Sequence, residues 1–161
     1  MKNSSAPFEM VQEIYAAFRR RDTVRIFRLF AENIEIVQSP DLPWGGCYRG
    51  HDEVREFFAA LTGHISSNVS IERMIDSGDR VVVVGQTRGV VNENGAPFDV
   101  AFAHVWTVRS GRVVRAEFYV DHRAMLPAIE AAGPVSIDAE NEAAPYSADL
   151  PAVESVSSGV A

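Results

Sequence analysis

The sequence predicts an α+β protein in which helices cover one face of a curved sheet. Before Asn68, apolar residues recur mainly at helical spacing, and after it they alternate with a period of two. The later segments are joined by short connections rich in Gly, Asn and Asp, which are typical of hairpins. The order helix, helix, strand, helix and then four strands indicates the α+β class.

Three helices are predicted in the N-terminal half. Ser5 can cap the first, and its buried stripe runs from Phe8 to Phe18 at helical spacing. Asp22 is suited to cap a second, shorter helix. His51 opens a third, because the acidic residues that follow it favour the positive end of a helix dipole.

Five strands and a closing helix account for the rest. Residues 33–38 alternate as a strand, and residues 39–50 form a loop rich in Pro and Gly. The four later strands are predicted, in order, at Val69–Ile75, Val81–Val91, Phe98–Val108 and Val113–Val120, and a short helix at His122–Ala132.

Composition excludes several classes of function. A chain of 161 residues predicts one domain, and it has no apolar run long enough for a membrane span. The first ten residues lack the apolar core of a secretory signal, so a cytoplasmic location is expected. The 22 acidic residues outnumber the 15 basic ones without a basic stripe, which argues against nucleic acid as a partner.

The chain also lacks the residues that the common cofactor sites need. Cys47 is the only cysteine, so one chain cannot form a disulfide or a thiolate metal cluster. Lys2 is the only lysine and lies near the terminus, which argues against Schiff-base chemistry. Glycine-rich nucleotide motifs and the HExxH motif are absent from the sequence, so the large nucleotide-dependent and zinc-protease classes lack their signatures.

The composition changes at Gly133, which predicts a domain at residues 1–133 and a tail at residues 134–161. The tail is rich in Ala, Pro and Ser and carries five acidic residues and no basic one. Such a composition is typical of a disordered, solubilising segment.

Four segments together resemble the SnoaL-like branch of the NTF2-like superfamily, which includes ketosteroid isomerases and polyketide cyclases. These segments are VQEIYAAF (Val11–Phe18), IFRLFAENIEI (Ile26–Ile36), YRGHDEVREFF (Tyr48–Phe58) and HVWTVRSGRVVRAEF (His104–Phe118). The resemblance implies a cone-shaped mixed sheet closed by helices around a deep apolar cavity. It also implies a homodimer that uses no metal and no organic cofactor.

The isomerase members of this superfamily use a tyrosine, an aspartate base and a protonated aspartate. The corresponding positions here carry Ile14, Gln38 and Ala103, and Tyr15 lies one residue from the tyrosine position. Gln38 cannot act as a base, and Ala103 cannot donate a hydrogen bond to an oxyanion. The sequence therefore argues against isomerisation of the steroid type.

The polyketide cyclases place an acid/base aspartate near the end of the final strand, a position that matches Asp121. A turn at Ser110-Gly111 would pair His104 with Glu117 and place Trp106 on the same face of the sheet. A carboxylate beside an imidazole in a dry cavity can exchange protons with a carbonyl compound. Asp121 and His104 are therefore the candidate catalytic residues.

Strand parity leaves open which face of the sheet lines the cavity. In one assignment His104, Trp106, Glu117 and Tyr119 face inward. In the other they lie on the convex face, where relatives dimerise, and the cavity is lined by Val83, Gly85, Thr87, Ala101, Ala103, Val105, Ala116, Phe118 and Val120.

Six residues are candidates for contact with a small apolar metabolite: Tyr15, Gln38, Trp44, Tyr48, Phe58 and Phe118. The first functional hypothesis is a cofactor-independent isomerase or cyclase acting on a carbonyl metabolite by proton transfer. The alternatives are a binding or dimerisation module without chemistry, and an epoxide hydrolase, which needs a carboxylate base.

Overall fold

The computed structural model describes residues 3–133 and confirms the α+β class. The predicted acidic tail at residues 134–161 lies outside the described residues. The elements are α1 (Ala6–Arg20), α2 (Thr23–Leu29), β1 (Phe30–Gln38), β2 (Gly46–Arg49), α3 (Gly50–His64), β3 (Ile65–Ser77), β4 (Arg80–Val91), β5 (Pro97–Arg109), β6 (Arg112–Val120) and α4 (His122–Glu130).

The strands form one mixed six-stranded sheet in the order β2-β1-β6-β5-β4-β3. The meander from β3 to β6 is antiparallel throughout, as the hairpin turns predict. β1 joins it by pairing parallel to β6. β2 was not predicted, because its four residues lie within a stretch whose Gly content is typical of a loop, and pairing with the end of β1 makes it a strand.

Side-chain caps set where the helices begin, as the sequence predicts. The Ser5 hydroxyl accepts a hydrogen bond from the backbone N–H of Phe8 and donates one to Asp76 Oδ1 at 2.7 Å. The bond to Asp76 ties the start of α1 to the end of β3. Asp22 caps α2 by accepting from the backbone N–H of Arg25.

Close backbone approach between β3 and β4 depends on glycine. A Cβ atom built on Gly85 would lie 2.0 Å from the Ser70 carbonyl oxygen and 3.0 Å from the Phe102 ring. The β3–β4 register also shifts between Ile71 and Arg73. A bulge of this kind increases the local twist of a sheet. Gly85 and the register shift therefore both favour curvature of the sheet at β3 and β4.

A second register shift, between β5 and β6, decides which side chains face inward. Val108 pairs with Val113, whereas Thr107 pairs with Arg115, so one extra residue of β6 is accommodated there. His104 consequently pairs with Phe118 and not with Glu117 as predicted. Since a one-residue shift moves side chains to the opposite face, this bulge changes the composition of both faces.

Neither predicted assignment of the cavity face is correct as a whole, because each combined residues that the bulge separates. The inward set unites Phe102, His104 and Trp106 of β5 with Phe118 of β6. Tyr119, 54% exposed, lies on the opposite, convex face. Trp106 and Tyr119, which the second assignment places together on the convex face, are therefore on opposite faces, and Trp106 is buried.

The helices close the concave side of the sheet. α1 contributes fully buried Val11 and Ile14, and α3 contributes Val54 and Phe57. α4 is held by the β4–β5 turn, where the Asn94 side-chain amide donates to backbone carbonyls of the last turn of α4 and the residue beyond it. No helix among the described residues is long and apolar enough to cross a membrane.

Replacement of Gly85 by Ala tests the close approach of β3 and β4. The added methyl would overlap the Ser70 carbonyl, so we expect a loss of about 1 to 3 kcal/mol in the free energy of unfolding. Gly63→Ala is the matched control: a Cβ added there would meet no atom within 4 Å, and we expect a gain of up to about 1 kcal/mol. Urea unfolding followed by circular dichroism measures both, and equal stability of G85A and the natural protein would contradict this account.

Candidate functional site

A cavity of about 1190 Å³ lies between the helices and the concave face of the sheet. Its inner wall is built from buried residues of both helices and strands, including Tyr15 on α1, Trp106 on β5 and Phe118 on β6. One side of the cavity reaches solvent between α2 and the first residues of β1, α3 and β6. We call this opening the arginine mouth, defined by its exposed residues Arg21, Thr23, Val24, Arg28, Glu32, Arg55 and Arg112.

Most of the residues predicted for the site line this cavity. They are Tyr15, Gln38, Trp44, Phe58, His104 and Phe118. Tyr48 does not line it: its ring packs on Phe57 at 5.1 Å, and its hydroxyl donates to the carbonyls of Trp44 and Gly45. Tyr48 therefore fixes the loop before β2 instead of facing a ligand.

Asp121, the predicted catalytic base, is not in the cavity. Its side chain is exposed and accepts a hydrogen bond from the backbone N–H of Ala124, so it caps α4. The predicted pairing of His104 with Glu117 is also absent. Glu117 instead accepts a hydrogen bond from Tyr119 on the convex face. Of the two predicted catalytic residues, only His104 lines the cavity.

Three side chains form a hydrogen-bond chain at the inner wall. The Trp106 indole N–H donates to the Tyr15 hydroxyl oxygen at 3.1 Å. The Tyr15 oxygen lies 2.5 Å from His104 Nδ1. Because an indole N–H can only donate, it occupies a lone pair of the tyrosine oxygen. The Tyr15 hydroxyl hydrogen is then available to His104.

The surroundings of His104 keep the imidazole neutral. Its ring centroid lies 4.2 Å from that of Phe102 and 4.7 Å from that of Phe118. Burial among such groups lowers the pKa of His104 to about 3 and raises the pKa of Tyr15 above its ordinary value. We therefore assign Nδ1 as the acceptor from Tyr15, which leaves Nε2 carrying the ring proton.

His104 Nε2 has no hydrogen-bond partner among the described residues. Every side-chain nitrogen or oxygen of these residues that is sealed from solvent does have a partner, so Nε2 is not sealed. The N–H at Nε2 is therefore open to the cavity. Since the cavity reaches solvent, a ligand that enters it can accept a hydrogen bond from this nitrogen.

A second indole fixes a second donor. Trp44 Nε1–H donates to Gln38 Oε1 at 2.8 Å, and both side chains are buried. This bond settles the orientation of the Gln38 amide, because the indole needs an acceptor. The Gln38 NH₂ group has no partner among the described residues and lines the same cavity. His104 and Gln38 thus offer the cavity donors in an apolar wall.

Carboxylates are scarce in this wall. Glu32, exposed at the arginine mouth, is the one acidic residue among the described residues that line the cavity. An epoxide hydrolase would need a carboxylate base beside its water, and the buried wall offers none in the described part of the chain. No group of three His, Cys, Asp or Glu side chains that could hold a metal ion occurs among residues 3–133.

Sequence reasoning missed the Tyr15–His104 contact and the arginine mouth. The first joins residues 89 positions apart, which meet only because α1 packs over the face of the sheet on which His104 lies. The arginines come from three separate segments whose charges look like ordinary solvated ends of elements. No periodicity in the sequence links either set.

Comparisons with known proteins agree with this architecture. The family model for the SnoaL-like domain matches residues 11–116. An NTF2-like protein of unknown function from Burkholderia pseudomallei K96243 is 32% identical, with a TM-score of 0.73 over 79% of this chain and 99% of that chain. TerC, co-crystallised with polyporic acid, is 30% identical, with a TM-score of 0.71 over 79% of this chain and 100% of that chain.

More distant structures share the fold alone. A protein described as a SnoaL-like polyketide cyclase from Jannaschia sp. CCS1 is 19% identical, with a TM-score of 0.70 over 82% of this chain and 99% of that chain. A comparison with curated protein sequences finds no match.

The neutral His104 among its aromatic neighbours predicts a specific loss of stability in acid. Its folded-state pKa of about 3 lies below the ordinary value of 6.5, so the unfolded chain binds more protons between these pH values. Stability therefore falls as the pH is lowered through this window, by at most about 2 kcal/mol from pH 7 to pH 5. Urea unfolding of the natural protein and of His104→Phe measures it, and an identical pH dependence in the two proteins would refute it.

Proposed function

Because the chain belongs to the SnoaL-like domain family, we propose that it is a cofactor-independent isomerase- or cyclase-type enzyme that acts on a small apolar carbonyl metabolite. The observation that carries this proposal is the chain from Trp106 through Tyr15 to His104, which ends in an N–H open to the cavity. His104 is its acid/base residue, and the aromatic wall around it selects an apolar substrate.

In this proposal His104 acts first as an acid. Nε2–H donates to the carbonyl oxygen of the substrate, and as its proton moves to that oxygen, Nδ1 takes the Tyr15 hydroxyl proton. The Trp106 N–H remains on the tyrosine oxygen and stabilises the charge that develops there. His104 stays neutral throughout, which agrees with a pKa of about 3.

The same nitrogen then acts as the base. Nε2, now without its proton, can remove a proton from the carbon next to the carbonyl while Nδ1 returns its proton to Tyr15. The keto form becomes the enol, and all three side chains regain their starting state. Burial raises the pKa of Tyr15, so the tyrosinate is short-lived and the two transfers are closely coupled.

Gln38 supplies a second hydrogen bond to the substrate. Its NH₂ group, held in place through Oε1 by Trp44, can bind another oxygen of the metabolite. Donors fixed before the substrate arrives stabilise charge that develops on its oxygens without reorganisation. TerC, the relative co-crystallised with polyporic acid, supports a small-molecule ligand for this fold.

A binding module without chemistry is the second candidate. The observation that favours it is the absence of a buried carboxylate among the described residues that line the cavity. A module of this kind would use His104 and Gln38 as hydrogen-bond donors to a ligand and transfer no proton.

Proton exchange in benzoylacetone distinguishes the two candidates. This compound is apolar, carries two carbonyl oxygens and exchanges its central protons with D₂O when it enolises. We expect the protein to accelerate the exchange, and His104→Gln to lower the acceleration by about 10²- to 10⁴-fold. NMR spectroscopy follows the exchange, and Trp fluorescence follows binding, because both tryptophans of the chain line the cavity.

Two tyrosine variants test the relay. Tyr15→Phe removes the proton that Nδ1 receives, so we expect the exchange rate to fall by at least about tenfold. Tyr119→Phe is the matched control, since Tyr119 is exposed on the convex face, and it should leave the rate unchanged. Binding without exchange in the natural protein would reject the enzyme in favour of the binding module.

A further inference from the structure

The arginine mouth concentrates positive charge on a chain whose net charge is negative. Arg21, Arg28, Arg55 and Arg112 line it with one acidic residue, Glu32, whereas the whole chain has a formal net charge of -7. Cationic groups gathered at the entrance of a low-dielectric cavity attract anions and raise their local concentration. The local charge therefore points to a ligand of the opposite sign.

Two of these arginines meet at the end of α2. Arg112, the first residue of β6, donates a hydrogen bond to the backbone carbonyl of Arg28. No ion pair with an acidic side chain is formed by Arg28 or Arg112 among the described residues, so their charges are not neutralised by a carboxylate there. Two guanidinium groups without acidic partners can bind a carboxylate through several N–H donors.

Arg55 adds a third cation, which is held by an aromatic ring. Its guanidinium lies 4.6 Å from the centroid of Phe27 and 3.2 Å from the carboxylate of Asp52, which is fully exposed. An ion pair this exposed contributes little, so a ligand can compete with Asp52 for Arg55. The stacking on Phe27 keeps the guanidinium beside the opening.

A series of aromatic side chains in contact leads from the arginines to the hydrogen-bond chain formed by Trp106, Tyr15 and His104. Phe27 packs on Phe30 with ring centroids 5.5 Å apart, and Phe30 lies 6.5 Å from the Trp106 indole. Trp106 in turn donates to Tyr15, the partner of His104. One molecule could therefore contact the arginine mouth with a charged end and His104 with an uncharged end.

From this arrangement we infer that the substrate is an amphipathic acid, whose anionic group, a carboxylate, binds Arg28, Arg55 and Arg112 while its apolar body and carbonyl extend toward His104. This inference rests on the proposed function, because it assumes that the cavity is the binding site. It adds the chemical class of the substrate and the residues that select it. Arg28 and Arg112 are its specificity-determining residues.

Two dyes with nearly the same ring system test the inference. 8-Anilinonaphthalene-1-sulfonate carries an anionic group, N-phenyl-1-naphthylamine lacks it, and both fluoresce in apolar cavities. We expect Arg28→Gln and Arg112→Gln each to weaken binding of the sulfonate about two- to fivefold, and the double variant about tenfold or more. The neutral dye should bind all variants with unchanged affinity, and added NaCl should weaken the sulfonate alone.

Arg80→Gln is the control, because it removes the same charge from an exposed residue of β4 outside the cavity lining. It should leave both affinities unchanged, and thermal unfolding should show that every variant is folded. Equal loss of both dyes, or no loss of the sulfonate, would overturn the anionic substrate and leave the proposed function standing. If neither dye binds the natural protein, the cavity is not a ligand site, and both proposals fail.

Discussion

The site depends on the fact that an indole N–H can only donate a hydrogen bond. Trp106 and Trp44, each buried, fix the polarity of the partner that they contact, Tyr15 in one case and Gln38 in the other. Because Tyr15 accepts from Trp106, it donates to His104 Nδ1, and the proton of the imidazole is on Nε2. The groups left open to the cavity, His104 Nε2–H and the Gln38 NH₂, are therefore donors. Side chains without charge thereby create a cavity suited to carbonyl and enolate oxygens, at no cost of burying an ion.

Retention of a neutral imidazole in this setting has a thermodynamic cost and a chemical use. Among Phe102, Phe118 and Trp106, the charged form of His104 is strongly disfavoured. A histidine with so low a pKa is a poor base when it must hold a full positive charge. It remains able to pass a proton between its two nitrogens, provided that a partner such as Tyr15 supplies and recovers the second proton.

Much of the fold could be predicted from local patterns. The caps at Ser5 and Asp22, the helical stripes and the hairpin turns depend on residues close together in the chain, and the structure confirms them. The Gly-rich strand β2 could not be predicted, because pairing with β1 alone makes it a strand. The predicted catalytic Asp121 matched a position in relatives, but at that position its carboxylate satisfies a helix end.

By itself the sequence determined the α+β class, the family and the residue types available for chemistry: histidine, tyrosine and tryptophan, with a single cysteine and a single lysine. Local periodicity and composition carry that information. The tertiary structure alone decided which of these residues meet. One extra residue accommodated in β6 places Phe118 instead of Glu117 beside His104. Because side-chain direction in a strand reverses with every residue, a shift too small to alter the sequence pattern reassigns an entire face of β6.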